Sequence, residues 1–116
     1  MNVQRIVANI ACPDPARART FYESLLGLEV VMDQGWMLTF AANGPARPQV
    51  SVASQGGSGT PVPDLSIEVD KLDEVYGRVR AAGVDIEYGP TAEPWGVRRF
   101  FIRDPCGRLV NILAHE

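Results

Sequence analysis

Twice in 116 residues the chain runs through one order of elements: a strand, a helix, then three strands. That duplication limits the fold more than any single motif does. In the first pass, residues 6–12 read as a strand. Asp14 is placed to cap a helix, and Pro15 suits its first turn because that position needs no N–H. Ala18, Phe21, Tyr22, Leu25 and Leu26 recur at helical spacing, and Gly27 supplies the stop. Strands follow at 28–32, 36–42 and 49–53, separated by Gly35 and by Asn43-Gly44-Pro45.

Residues 55–63, with three glycines and two prolines, read as a flexible connector, after which the order begins again. A strand at 65–69 leads to Asp70 as helix N-cap, with Asp73 in the first turn facing the positive end of the dipole. Leu72, Val75, Tyr76, Val79 and Ala82 form one apolar stripe, and Gly83 ends the helix. Residues 84–88 read as a short strand and 89–96 as a loop. Strands at 97–103 and 108–114 are joined by Asp104-Pro105-Cys106-Gly107, which carries hairpin-turn chemistry.

The fold class this predicts is α+β: one domain over 1–116, made of two βαβββ modules at 1–54 and 64–116 with one helix each. A helix covers one face of each sheet and leaves the other to close against something. Two such sheets form a concave surface or partial barrel, a shape that holds small ligands.

Charge and composition remove several classes of function. A net charge of −3 argues against nucleic acid, because phosphate binding needs a basic surface. No apolar run approaches the roughly 20 residues of a membrane span. No basic-then-greasy leader follows Met1, so a cytoplasmic protein is expected. Cys12 and Cys106 sit in no CxxC or Cys/His cluster, which excludes a structural zinc and points to two free thiols.

Several segments together resemble one family. Asp14, Phe21-Tyr22 and Leu26-Gly27-Leu28 stand in the first half. Val69-Asp70-Lys71-Leu72-Asp73, Ala81-Ala82-Gly83-Val84, Pro94-Trp95-Gly96-Val97-Arg98, Phe100 and Asp104-Pro105-Cys106-Gly107-Arg108 stand in the second. The sequence resembles the vicinal-oxygen-chelate superfamily of glyoxalases, bleomycin-resistance proteins and extradiol dioxygenases. The Pro-Trp-Gly segment and short length look most like the bleomycin-resistance branch, which implies a homodimer that sequesters a drug or natural product.

Metal-dependent members of that superfamily hold one divalent ion with His and Glu side chains from four strands. By motif spacing those positions fall here near Val7, Ser51, Asp64 and Asn111, a set with one strong ligand where such a site needs at least three. The resemblance therefore implies a member without metal or other cofactor. The alternative is a metal-dependent lyase, thiol transferase or dioxygenase with ligands elsewhere. The sole histidine, His115, lies next to the C-terminus and reads as a frayed, solvated side chain. No nucleophilic triad and no phosphate loop is present in the sequence; Gly56-Gly57-Ser58-Gly59 lacks the lysine a phosphate loop needs.

A small-molecule ligand would then meet rigid aromatic walls. Trp36 and Trp95 stand at strand mouths, and Phe40 and Phe101 are candidate lining. Asn9, Ser51, Asn111 and Arg98 are the candidate polar contacts, Arg98 being the arginine of the family segment. Neither a nucleic acid nor a membrane is an expected partner.

Overall fold

Alternating apolar residues and the Gly/Pro breaks between them produce eight strands in a computed structural model that describes residues 2–116. They are β1 (Val3–Ala11), β2 (Glu29–Asp33), β3 (Met37–Ala41), β4 (Gln49–Ala53), β5 (Leu65–Val69), β6 (Tyr88–Ala92), β7 (Val97–Arg103) and β8 (Leu109–His115). One α-helix, α1 (Leu72–Ala81), and an irregular helical stretch between β1 and β2 complete an α+β fold. No helix of the described residues is long and apolar enough to cross a membrane. The chain divides into two compact units, Val7–Val62 and Pro63–Glu116, the latter with the N-terminal residues through Ile6.

The duplication is present in the strand pairing. In the Val7–Val62 unit the order is β2-β3-β4-β1, with β1 parallel to β4 and the other pairs antiparallel. In the second unit the order β6-β7-β8-β5 repeats it, with β5 parallel to β8. A parallel first and fourth strand requires a crossover, and the helical segment of each unit supplies it.

Each helical segment covers one sheet face. Leu72, Val75, Tyr76 and Val79 of α1 pack on Val69, Phe100, Val110 and Ile112, the main core of the second unit. In the first unit Ala18, Tyr22 and Leu28 pack on Leu38, Phe40 and Val52. Its helix is not the regular one the spacing predicts. Pro15–Arg17 is a 3₁₀ turn, and Thr20–Leu25 is π-helical, closed by Leu26 N–H donating to the Phe21 carbonyl at 3.2 Å. The wider turn keeps Ala18 and Tyr22 on the sheet but leaves Phe21, Leu25 and Leu26 exposed by 52%, 72% and 58%.

Other expectations are corrected here. Lys71, not Asp70, precedes the first turn of α1; the Asp70 carboxylate instead accepts the Asn2 backbone N–H at 2.7 Å. Asp14 precedes its 3₁₀ turn without a side-chain cap. The strand expected at 84–88 begins only at Tyr88 and runs to Ala92, through the first half of the stretch expected to be a loop. β6 is a sheet edge whose register shifts between Tyr88 and Thr91, a place where Pro90 is tolerated, and Gly89 at φ +78 lies where a Cβ would strike the Arg99 carbonyl. Nor is 55–63 a loose connector: Gly56 N–H donates to the Thr60 carbonyl at 2.8 Å and Gly59 N–H to Gln55 Oε1 at 2.9 Å. A Cβ on Gly56 would collide with the Pro61 carbonyl, so the turn requires glycine there.

Candidate functional site

Strand alternation decides which side chains look away from the helices. In β7, Phe100 and Ile102 join the α1 core, so Val97, Arg99 and Phe101 face the other way. Register carries that face across the sheet: Asn111 of β8 lies opposite Phe101, Leu113 opposite Arg99, and Ser66 of β5 opposite Asn111. Val97, Arg99, Phe101, Asn111 and Leu113 are all buried.

The centre of this face is a buried cation among aromatic rings. The Arg99 guanidinium carbon lies 4.8 Å from the Phe101 ring centre, 5.0 Å from Trp95 and 5.4 Å from Tyr88. Arg99 also pairs with Glu93, which accepts Nε at 2.7 Å and the Tyr88 hydroxyl at 3.2 Å. Rings on several sides supply negative faces to a desolvated charge, and the carboxylate neutralises it.

Beside that cluster stands Asn111. Its Nδ2 donates to Ser66 Oγ at 3.1 Å, while its Oδ1 is buried and accepts no hydrogen bond. At the end of the same strand His115 Nδ1 lies 2.9 Å from Glu68 Oε2, and Arg5 approaches Glu68 Oε1 at 3.2 Å. The expectation of a frayed histidine is thus corrected: His115 ends β8, in register with Val97, and its imidazole is held by a carboxylate.

The corresponding face of the first unit holds a different polar pair. Thr39 Oγ1 and Ser51 Oγ are 2.8 Å apart, 3% and 4% exposed as residues, and Asn9 lies in register with Ser51. Trp36 precedes β3, half-buried, its carbonyl accepting the Ser54 N–H at 2.9 Å.

Two expected contacts face the wrong way. Phe40 is wholly buried under the helical segment, its ring 5.2 Å from Tyr22, and is core rather than lining. Arg98 pairs with Asp73 at 2.5 Å on the α1 side, one position from the arginine that occupies the opposite face. Of the remaining candidates, Trp95, Phe101 and Asn111 come together in the second unit, while Asn9 and Ser51 meet in the first. Glu93 and Tyr88 are not legible as site residues from the sequence, whereas Arg99 belongs to a basic strand, Arg98, Arg99 and Arg103, whose faces alternate. The signal for Arg99 was its even spacing from Phe101.

The four positions where the resemblance would place metal ligands do not make a metal site. Val7 is apolar and buried, and Ser51 is bonded to Thr39. Asp64 is exposed, and its Oδ2 accepts the Leu109 N–H at 3.1 Å. Asn111 offers a neutral amide. Among the described residues no three His, Cys, Asp or Glu side chains converge. A divalent catalytic ion needs several anionic or imidazole donors, which this set does not provide.

Comparison with known proteins identifies the family. The family model described as Glyoxalase/Bleomycin resistance protein/Dioxygenase superfamily matches residues 3–112. No curated protein matches closely enough to count as a relative. Among solved structures, one described as an NAD-dependent benzaldehyde dehydrogenase from Legionella pneumophila superposes with TM-score 0.76 at 18% identity, covering 97% of this chain and all (100%) of its own. A glyoxalase/bleomycin resistance protein/dioxygenase superfamily member from Vibrio splendidus 12B01 gives TM-score 0.67 at 18% identity, covering 99% and 100%. A Streptomyces coelicolor methylmalonyl-CoA epimerase variant, in complex with 2-nitronate-propionyl-CoA, gives 0.72 at 19% identity, covering 98% and 99%. At such identities the likeness is one of fold.

Proposed function

This chain belongs to the Glyoxalase/Bleomycin resistance protein/Dioxygenase superfamily, and from that premise we propose that it binds a small organic molecule without a resident divalent metal. The observation that carries the reading is the chemistry at the four positions above: one valine, one serine, one asparagine and a single carboxylate already accepting a backbone N–H. The ligand is a drug or natural product that the protein sequesters, in the manner implied by its resemblance to bleomycin-resistance proteins. Trp95 and Phe101 of the second unit offer aromatic surface, and Asn111 offers a polar contact.

The working form is a cytoplasmic homodimer. Phe21, Leu25 and Leu26 support the pairing, since three large apolar side chains exposed within six residues are an interaction surface rather than ordinary scatter.

Native mass spectrometry and elemental analysis of protein purified without chelator test the reading. The expected result is a dimer mass with a retained organic ligand, or binding of one from a natural-product set, and no metal in stoichiometric amount. About one transition metal per chain, lost together with an enzymatic activity, would overturn it.

A further inference from the structure

Asn111 Oδ1 is a strong acceptor held out of water with nothing to accept from. Such an atom loses its hydration without replacement, a cost that a native fold removes with a protein donor, a water or a ligand. The other half of the same amide is engaged, because Nδ2 donates to Ser66 Oγ. The carboxamide is thereby fixed in orientation and presents an acceptor alone.

Its surroundings specify what can meet it. Asn111 lies opposite Phe101 in the β7–β8 register, on the face that carries Arg99 and its aromatic ring. The charge of Arg99 is already matched by Glu93, so this face does not call for a second anion. An anionic ligand would also set its oxygens against the Oδ1 lone pairs. A metal ion would find one neutral oxygen.

We propose that Asn111 Oδ1 is a ligand-binding atom that takes an N–H or O–H donor from a neutral, planar ligand, the amide, lactam or phenol class. The assignment rests on the small-molecule reading above and narrows it. A carboxylate in place of Asn111 would add a charge that favours a cation or metal; the neutral amide accepts a donor without that bias.

Three probes sharing one ring separate the alternatives: benzamide, which has the donor; acetophenone, nearly isosteric without it; and benzoate, anionic without it. Binding at millimolar concentration is read from side-chain and backbone amide NMR shifts in the full-length protein. Benzamide should bind about tenfold more tightly than acetophenone, the factor expected of one net hydrogen bond, and should shift the Asn111 side-chain signal. Asn111→Leu should abolish that preference while keeping native dispersion, since it deletes an unsatisfied polar atom and Ser66 is only half-buried. Asn111→Asp should weaken acetophenone and benzoate further.

A preference for benzoate over benzamide would mean that Nδ2 faces the ligand, and would overturn the assignment. Equal affinities, a benzamide preference that survives in Asn111→Leu, or no shift at Asn111 with any probe would overturn it too. Each of these leaves the broader reading standing if native mass spectrometry shows a retained organic ligand, so the two fail separately.

Discussion

Arg99 holds Glu93 through two nitrogens, Nε at 2.7 Å and Nη2 at 2.6 Å from the same Oε2, with the side chains only 4% and 3% exposed. The pair links β7 to the residue that follows β6, and Trp95 lies in the turn between the two strands. A buried pair adds little over a well-packed apolar pair, yet it is expensive to break from one side. It fixes the Trp95 turn relative to Phe101 more than it stabilises the whole unit.

Arg99→Met should therefore destabilise the protein by about 3–5 kcal/mol, because it strands a buried carboxylate. Adding Glu93→Leu should recover most of that loss, to within about 2 kcal/mol of the parent, the remainder reflecting the Tyr88 hydroxyl left without its acceptor. Urea unfolding of the two single variants and the double variant checks the cycle. If the double variant is no better than Arg99→Met, the ion pair is not what the first substitution broke.

The Thr39–Ser51 bond calls for the same logic with neutral groups. Thr39→Val should cost about 1–3 kcal/mol by leaving the Ser51 hydroxyl buried without that partner, whereas Thr39→Val with Ser51→Ala should come close to the parent. A double-mutant cycle in urea, with coupling of at least about 0.5 kcal/mol, is the expected outcome. Additive losses would show that the two hydroxyls do not depend on each other.

Much of this architecture was legible because it follows local rules. Turn chemistry at Gly27, Gly83 and Asp104-Pro105-Cys106-Gly107 marked element ends. The misplaced elements are those in which tertiary context overrides local signal. Gly89-Pro90 reads as a break but is tolerated at a sheet edge. Phe21, Leu25 and Leu26 recur at regular helical spacing, and the π turn carries them outward. His115 reads as a loose end because nothing in the sequence joins it to Glu68, 47 positions away. Period-two alternation would have placed Arg99 with Phe101; the matching Glu93 could not be read, since its partner is set by how β6 pairs with β7.

Acid should weaken the tether between the N-terminal strand and the start of α1. The Asn2 backbone N–H, donating to the Asp70 carboxylate, lowers that carboxyl below its ordinary value of 3.8. A depressed folded-state pKa means that the ionised form favours the fold. Its contribution is present above 3.8 and is lost as pH falls through the lower folded value. Asp70→Asn should remove that part of the acid dependence, so unfolding curves of parent and variant should draw together as pH drops. If their difference is constant down to acid pH, the carboxylate is not linked to folding.

The apolar surface of the first unit provides the test of self-association. Leu25 and Leu26 are 72% and 58% exposed in the single chain, so burying them against a second copy would remove apolar area from water at about 25 cal/mol per Å². Charge at those positions would have to be desolvated on pairing, while in the isolated chain it would stay in water. Leu25→Glu with Leu26→Lys should therefore leave the fold within about 0.5 kcal/mol of the parent, since exposed substitutions have small effects. It should also shift the light-scattering mass at micromolar concentration from two chains to one. A parent protein that is already monomeric would rule out the dimer. A variant that remains dimeric would place the interface elsewhere, and Phe21, Leu25 and Leu26 would then be surface residues without a role in pairing.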